Sequence, residues 1–82
     1  MTRVIDTASQ LGAAFRDARS SRGMTQEALA QVAGVSRRWL INLEAGRGGR
    51  SEIAMIMATA RALGLSLTLA PATEPDLTET EQ

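Results

Sequence analysis

A chain of 82 residues allows one small domain, and at this size only about 60–65% of the unfolded surface is buried, so a lone copy is marginally stable. There is no cysteine and no histidine, which excludes disulfides and removes the usual zinc and haem ligands, so neither metal nor cofactor is expected. The formal net charge of zero hides a split: residues 1–70 hold all nine arginines and five acids, a net +4, whereas residues 71–82 hold Glu74, Asp76, Glu79 and Glu81, a net −4.

No apolar run approaches the roughly 20 residues of a membrane-spanning helix, and the first residues lack the apolar centre of a signal peptide. Together with the missing cysteines, this leads to the expectation of a cytoplasmic protein with no membrane partner. Every basic residue is arginine. Arginine suits bidentate contacts to phosphate and guanine, although genome base composition explains the same bias.

In chain order, Thr7 and Gln10 have capping-box spacing, so a helix is predicted from about Ala8. Its apolar face is Leu11, Ala14, Phe15 and Ala18, and Gly23 ends it. Thr25 caps a second helix that buries Leu29, Val32 and Ala33. Gly34 breaks it, and Ser36 caps a third helix whose buried side is Leu40 and Leu43 and which Gly46 closes. The stretch GRGGR, residues 46–50, reads as a flexible basic loop. Ser51 then caps a fourth helix with Ile53, Ile56, Met57, Ala60 and Leu63 toward the core, and Gly64 ends it. LSLTLAP alternates apolar and polar residues up to Pro71, the pattern of a half-buried strand.

The organisation expected is a folded domain over residues 1–70 and an acidic disordered tail over 71–82, with no internal repeat. Removing residues 72–82 is predicted to leave the thermal midpoint nearly unchanged. A large loss of helicity on that truncation would make the tail part of the fold.

The second and third helices are joined by about three residues that include a glycine, which is the helix-turn-helix connection. Ala30 is small where the two helices cross, Gly34 adopts a positive φ at no steric cost, and Val35 follows to plug the gap. On TQEALAQVAGVSRRWLINLEAG, residues 25–46, with RDARSSRGM before it and ARALGLSL after it, the chain resembles the phage-repressor-like (Xre-type) helix-turn-helix family. The resemblance covers roughly residues 11–69. It implies a mainly all-α fold, a repressor-like bundle of four helices, to which the alternating segment adds one short C-terminal strand expected to pair across a dimer.

At 100° per residue, Leu40 and Leu43 share one side of the third helix with Ser36. Arg37, Arg38, Ile41, Asn42 and Ala45 fall on the other. In a helix-turn-helix the second helix lays that outer face in the major groove. Arginine pairs with guanine, asparagine with adenine, and an apolar side chain meets a thymine methyl. This accounts for an isoleucine between arginines and an asparagine better than a merely solvated face does. Gln26, at the start of the second helix, stands where the family places a residue on phosphate or on the first base; otherwise it is a surface glutamine. Ser36 is either a phosphate donor or an N-cap alone. Trp39 lies between the two faces, as a packing lid or a backbone contact. Arg47 and Arg50 either hold phosphates beside the third helix or are solvated. The family resemblance further implies that Arg19 and Glu44 meet as a partly buried, structural ion pair.

Nothing in the chain suggests an enzyme. It has no histidine or cysteine nucleophile, no glycine-rich phosphate loop and no metal-spaced cluster, and the acids of residues 1–70 are scattered singly.

Placing a strand directly after the fourth helix is similar to the Hip-type antitoxins, which accompany a Ser/Thr kinase toxin and repress their own operon. That resemblance implies a homodimer bound to double-stranded DNA at a palindromic operator, nucleoid-associated in the cytoplasm, with a kinase toxin as a further partner. A stand-alone or phage-type repressor and a protein-interaction module without DNA binding are the alternatives. The fourth helix carries a second apolar stripe, Met55, Ala58 and Ala62, and a lone strand leaves its backbone groups unpaired. The expected dimer therefore uses that stripe together with Leu65, Leu67 and Leu69.

Overall fold

The computed structural model describes residues 3–72, and the expected acidic tail from residue 73 onward lies outside them. Four helices follow in chain order: α1 (Ala8–Ser21), α2 (Gln26–Ala33), α3 (Arg37–Glu44) and α4 (Ile53–Ala62). Three of them start where a hydroxyl can take up a free N–H. Thr7 Oγ1 accepts the Gln10 N–H at 3.1 Å while Gln10 Oε1 accepts the Thr7 N–H at 3.2 Å, a complete capping box. Thr25 Oγ1 accepts from Ala28 N, and Ser36 Oγ accepts from Trp39 N, each at 3.0 Å. The fourth start departs from expectation. Glu52, not Ser51, holds the cap position of α4, with no side-chain hydrogen bond. Ser51 is still inside a turn, its N–H donating to the Gly48 carbonyl at 3.0 Å.

All four helices end in one way. A glycine with positive φ follows each, at Gly23, Gly34, Gly46 and Gly64. The N–H of the next residue then reaches back across the last turn: Met24 to Arg19 O (3.2 Å), Val35 to Ala30 O (3.0 Å), Arg47 to Asn42 O (2.9 Å) and Leu65 to Ala60 O (2.8 Å). This is the Schellman closure, which satisfies carbonyls that a helix end would otherwise leave free.

α2 packs on both α3 and α4, and α1 packs on α3. Between them lie Phe15, Leu29, Leu40, Leu43, Ile56 and Leu63, with Ala30 and Ala60 filling the close crossings. Val35 packs against this core from the α2–α3 turn. Thr59 is fully buried, and its hydroxyl donates to the Met55 carbonyl at 2.8 Å. That bond lets a polar side chain stand in the core without an unmet hydrogen bond.

Thr59 also explains the rotation of α4. Ile56, Thr59, Ala60 and Leu63 form the buried stripe, with i, i+3, i+4, i+7 spacing. A reading by hydropathy passes over the threonine and puts Ile53 and Met57 inward instead. These two, one turn apart, are exposed, at 60% and 44%. The stripe expected to await a second chain, Met55, Ala58 and Ala62, is instead half-buried within this one, Ala62 against the core. Val32, expected inside, is exposed on α2, where Ala30 takes the crossing with its neighbours.

The alternating segment after α4 is not a strand among the described residues. Leu65, Leu67 and Leu69 are all exposed. The described residues supply no neighbouring strand to pair with residues 65–69, and a strand is defined by its ladder.

Candidate nucleic-acid interface

The turn between α2 and α3 holds its shape through three residues. Gly34, at φ 77°, reverses the chain, Val35 anchors to the core, and Ser36 opens the next helix. α3 is therefore fixed along its inner side by Leu40 and Leu43, both fully buried, and its opposite side is turned away from the core. On that side Arg37, Arg38 and Ala45 are exposed, and Ile41 and Asn42 are half-buried. Arg37, Arg38 and Arg50 form no salt bridge among the described residues. Their guanidinium groups are free to meet an anion or a base edge.

Trp39 is half-buried and packs against the core, so it closes the edge of the helix and also borders the outer face. Together with Asn42, Arg47, Arg50, Ser51, Glu52 and Met55 it lines a shallow depression between α3 and the start of α4. The loop arginines are thus brought to the flank of the α3 outer face. One of them is already engaged: Arg47 Nη2 donates to Asn42 Oδ1 at 2.9 Å. Ser36 uses its hydroxyl for the cap of α3.

Behind the outer face, one carboxylate gathers three helices. Glu44 accepts from Arg19 Nε at 2.7 Å, from Arg19 Nη2 at 2.9 Å and from Gln26 Nε2 at 3.1 Å. Arg19 Nη1 also donates to the Met24 carbonyl at 2.8 Å. The Arg19 and Glu44 side chains are only 15% and 4% exposed. The hydrogen bond to Glu44 holds the Arg19 guanidinium above its ordinary pKa, against the opposing effect of burial. Gln26 is therefore tied inward through one hydrogen of its amide nitrogen.

Sequence reasoning missed two of these contacts, Gln26 to Glu44 and Arg47 to Asn42. The first joins residues 18 positions apart and has no local signal. The second had one: Arg47 is the residue after the closing glycine of α3, and the Schellman turn folds that residue back over the helix end.

Among the described residues, no group of three His, Cys, Asp or Glu side chains is arranged to hold a metal ion, and no helix is long and apolar enough to cross a membrane.

Residues 10–72 match the family described as a helix-turn-helix domain. The uncharacterized HTH-type transcriptional regulator y4mF of Sinorhizobium fredii is 36% identical over 69 residues, which is 84% of this chain and 90% of that protein. Among solved structures, one described as a HipB–O4 20mer complex superposes with a TM-score of 0.79 at 26% identity, covering 88% of this chain and 100% of the other. The clp gene regulator ClgR of Corynebacterium glutamicum superposes with a TM-score of 0.66 at 36% identity, covering 72% of this chain and 62% of the other.

Proposed function

The chain belongs to the Xre-type helix-turn-helix family of DNA-binding transcriptional regulators, not to an enzyme family, and from that premise we propose that it is a sequence-specific repressor that reads its operator with α3. The observation that carries this reading is the outer face of α3, where the exposed Arg37 and Arg38 and the half-buried Ile41 and Asn42 stand opposite the buried Leu40 and Leu43. Arg38 and Asn42 offer hydrogen bonds to base edges, and Ile41 offers an apolar contact to a thymine methyl. Arg50, on the flank, holds the phosphate backbone, which gives affinity and register without sequence choice.

Arg38→Ala and Asn42→Ala are expected to weaken binding to the specific site by about 1–3 kcal/mol each while leaving non-specific binding nearly intact. Arg50→Ala is expected to weaken binding to all duplexes alike and to lower the salt slope by about one. Gel-shift titrations at several salt concentrations separate the two patterns. Equal losses for all three variants on every duplex would refute base reading by α3.

The repressor acts as a homodimer. Ile53 and Met57 on α4, and Leu65 and Leu67 beyond it, are large apolar side chains left exposed among the described residues. Residues 65–69 pair with their two-fold mates, which supplies the missing ladder and places two recognition helices about 34 Å apart on a palindromic operator. Leu67→Pro removes a ladder donor and is expected to convert the dimer to monomer in sedimentation velocity. An unaffected dimer would rule out this pairing.

The biological setting that fits best is the antitoxin of a kinase toxin pair, supported by the likeness to HipB over nearly the whole chain. A stand-alone regulator is the second reading, favoured by the higher identity to ClgR. Co-purification of a neighbouring kinase-sized gene product with the tagged protein is the result expected of an antitoxin. Its absence, with operator binding intact, favours the stand-alone regulator.

A further inference from the structure

The closing turn of α3 differs from the other three in one respect. The residue that folds back after the glycine is apolar at α1, α2 and α4, where it is Met24, Val35 and Leu65. Such a residue ordinarily makes an apolar contact with the last turn of its helix. At α3 it is Arg47, and the residue it folds over is Asn42, on the outer face. Two bonds join the pair: Arg47 N to Asn42 O and Arg47 Nη2 to Asn42 Oδ1, both at 2.9 Å.

The second bond sets the orientation of the Asn42 amide. A guanidinium has five donors and no acceptor. It can hold an asparagine only by the oxygen, so the amide nitrogen is turned the other way. A lone asparagine selects adenine by giving a hydrogen bond to N7 and accepting one from the N6 amino group. Here one of the two lone pairs of Oδ1 is already taken by a charged donor, which makes the oxygen a poorer acceptor for the N6 amino group. What the pair has left is weighted toward donors: the two Nδ2 hydrogens of Asn42 and the remaining N–H groups of Arg47, against one lone pair of Oδ1. A surface rich in donors matches an edge of acceptors, and in the major groove the purine that presents only acceptors is guanine, through N7 and O6.

The geometry points to Arg47 as a positioning residue for specificity, one that turns Asn42 from an adenine reader into part of a guanine-selecting donor pair. This rests on the proposal that the outer face of α3 reads bases. It assigns Arg47 a role that a phosphate contact does not have.

The test combines two measurements on the full chain. In the free protein, the side-chain amide resonances of Asn42 are followed by NMR in wild type and in Arg47→Ala. Base preference is then measured by selection from a random duplex pool for wild type, Arg47→Ala and Asn42→Ala, with thermal midpoints confirming that each variant is folded. The expected result is that the Asn42 amide signals shift in Arg47→Ala. At the base pair whose preference Asn42→Ala relaxes, wild type prefers guanine, and Arg47→Ala moves that preference toward adenine by about tenfold.

Unchanged Asn42 amide signals overturn the positioning role even where α3 reads bases. A uniform loss of affinity in Arg47→Ala, with preferences intact and a smaller salt slope, likewise overturns it and makes Arg47 a phosphate contact. If Asn42→Ala relaxes no position while the amide signals do respond to Arg47→Ala, base reading by Asn42 is what fails, and the guanine assignment falls with it.

Discussion

Glu44→Ala is expected to cost about 3–5 kcal/mol of folding stability, the range for removing one partner of a buried ion pair. In a domain of this size that is a large part of the total, which at roughly 0.05–0.15 kcal/mol per residue comes to no more than about 10 kcal/mol. The thermal midpoint should fall by at least about 12 °C. The cost arises because the carboxylate, 4% exposed, is the shared acceptor for Arg19 and Gln26. Its removal leaves the Arg19 guanidinium, 15% exposed, with only the Met24 carbonyl. Replacing both partners, as in Arg19→Met with Glu44→Leu, should cost much less than Glu44→Ala alone, since no charge is then stranded. The hydrogen bond from Arg19 to Glu44 raises the folded-state pKa of the guanidinium. A raised pKa gives a contribution that is fully present below the ordinary arginine range and is lost only as pH rises through and beyond it. Protonation of Arg19 therefore introduces no pH dependence near neutrality. Denaturant unfolding of the two variants is the measurement, and a Glu44→Ala midpoint within error of wild type would mean that the pair is not buried in solution.

Much of the fold was legible because helix starts and stops are local. Thr7, Thr25 and Ser36 each sit three residues before the N–H they accept, and that spacing is visible in the sequence. The closing glycines are equally visible, because only glycine takes the left-handed turn at no steric cost. The outer face of α3 followed from 100° per residue once Leu40 and Leu43 were recognised as buried.

What was not legible depends on contacts between distant segments. Thr59 reads as polar until its bond to the Met55 carbonyl is known, and so the core stripe of α4 was read one step around the helix. Val32 has the hydropathy of a core residue and is exposed, whereas Leu29 and Ala30 hold the buried side of α2. The period-two pattern of residues 65–69 states which side chains alternate, but a ladder needs a neighbour, and the described residues offer none. In the site, Asn42 and Arg47 were each visible as candidates, whereas the bond between them comes from the three-dimensional course of the turn.

Gly12 is the position where local preference and tertiary packing oppose each other most directly. It lies in the middle of α1, where alanine normally stabilises a helix by about 0.5–1 kcal/mol relative to glycine. A Cβ at this position would collide with the Leu43 carbonyl oxygen and lie 3.1 Å from the Glu44 carbonyl oxygen. Those atoms are backbone, so no rotamer change relieves the overlap. α1 and the last turn of α3 must separate, and that last turn carries the Arg19–Glu44 pair and the bonds from Gly46 and Arg47 that close the helix. Gly12→Ala is therefore expected to destabilise the domain by about 3 kcal/mol, the upper end of overpacking costs, and to weaken operator binding beyond what the unfolded fraction explains. Gly49→Ala is the control. Its Cβ would come no closer than 3.9 Å to its nearest neighbour, the Ala8 Cβ, and it should change stability by less than about 0.5 kcal/mol. Helix propensity predicts a gain for Gly12→Ala and the α1–α3 contact predicts a loss, so the sign of the shift in denaturant midpoint decides between them.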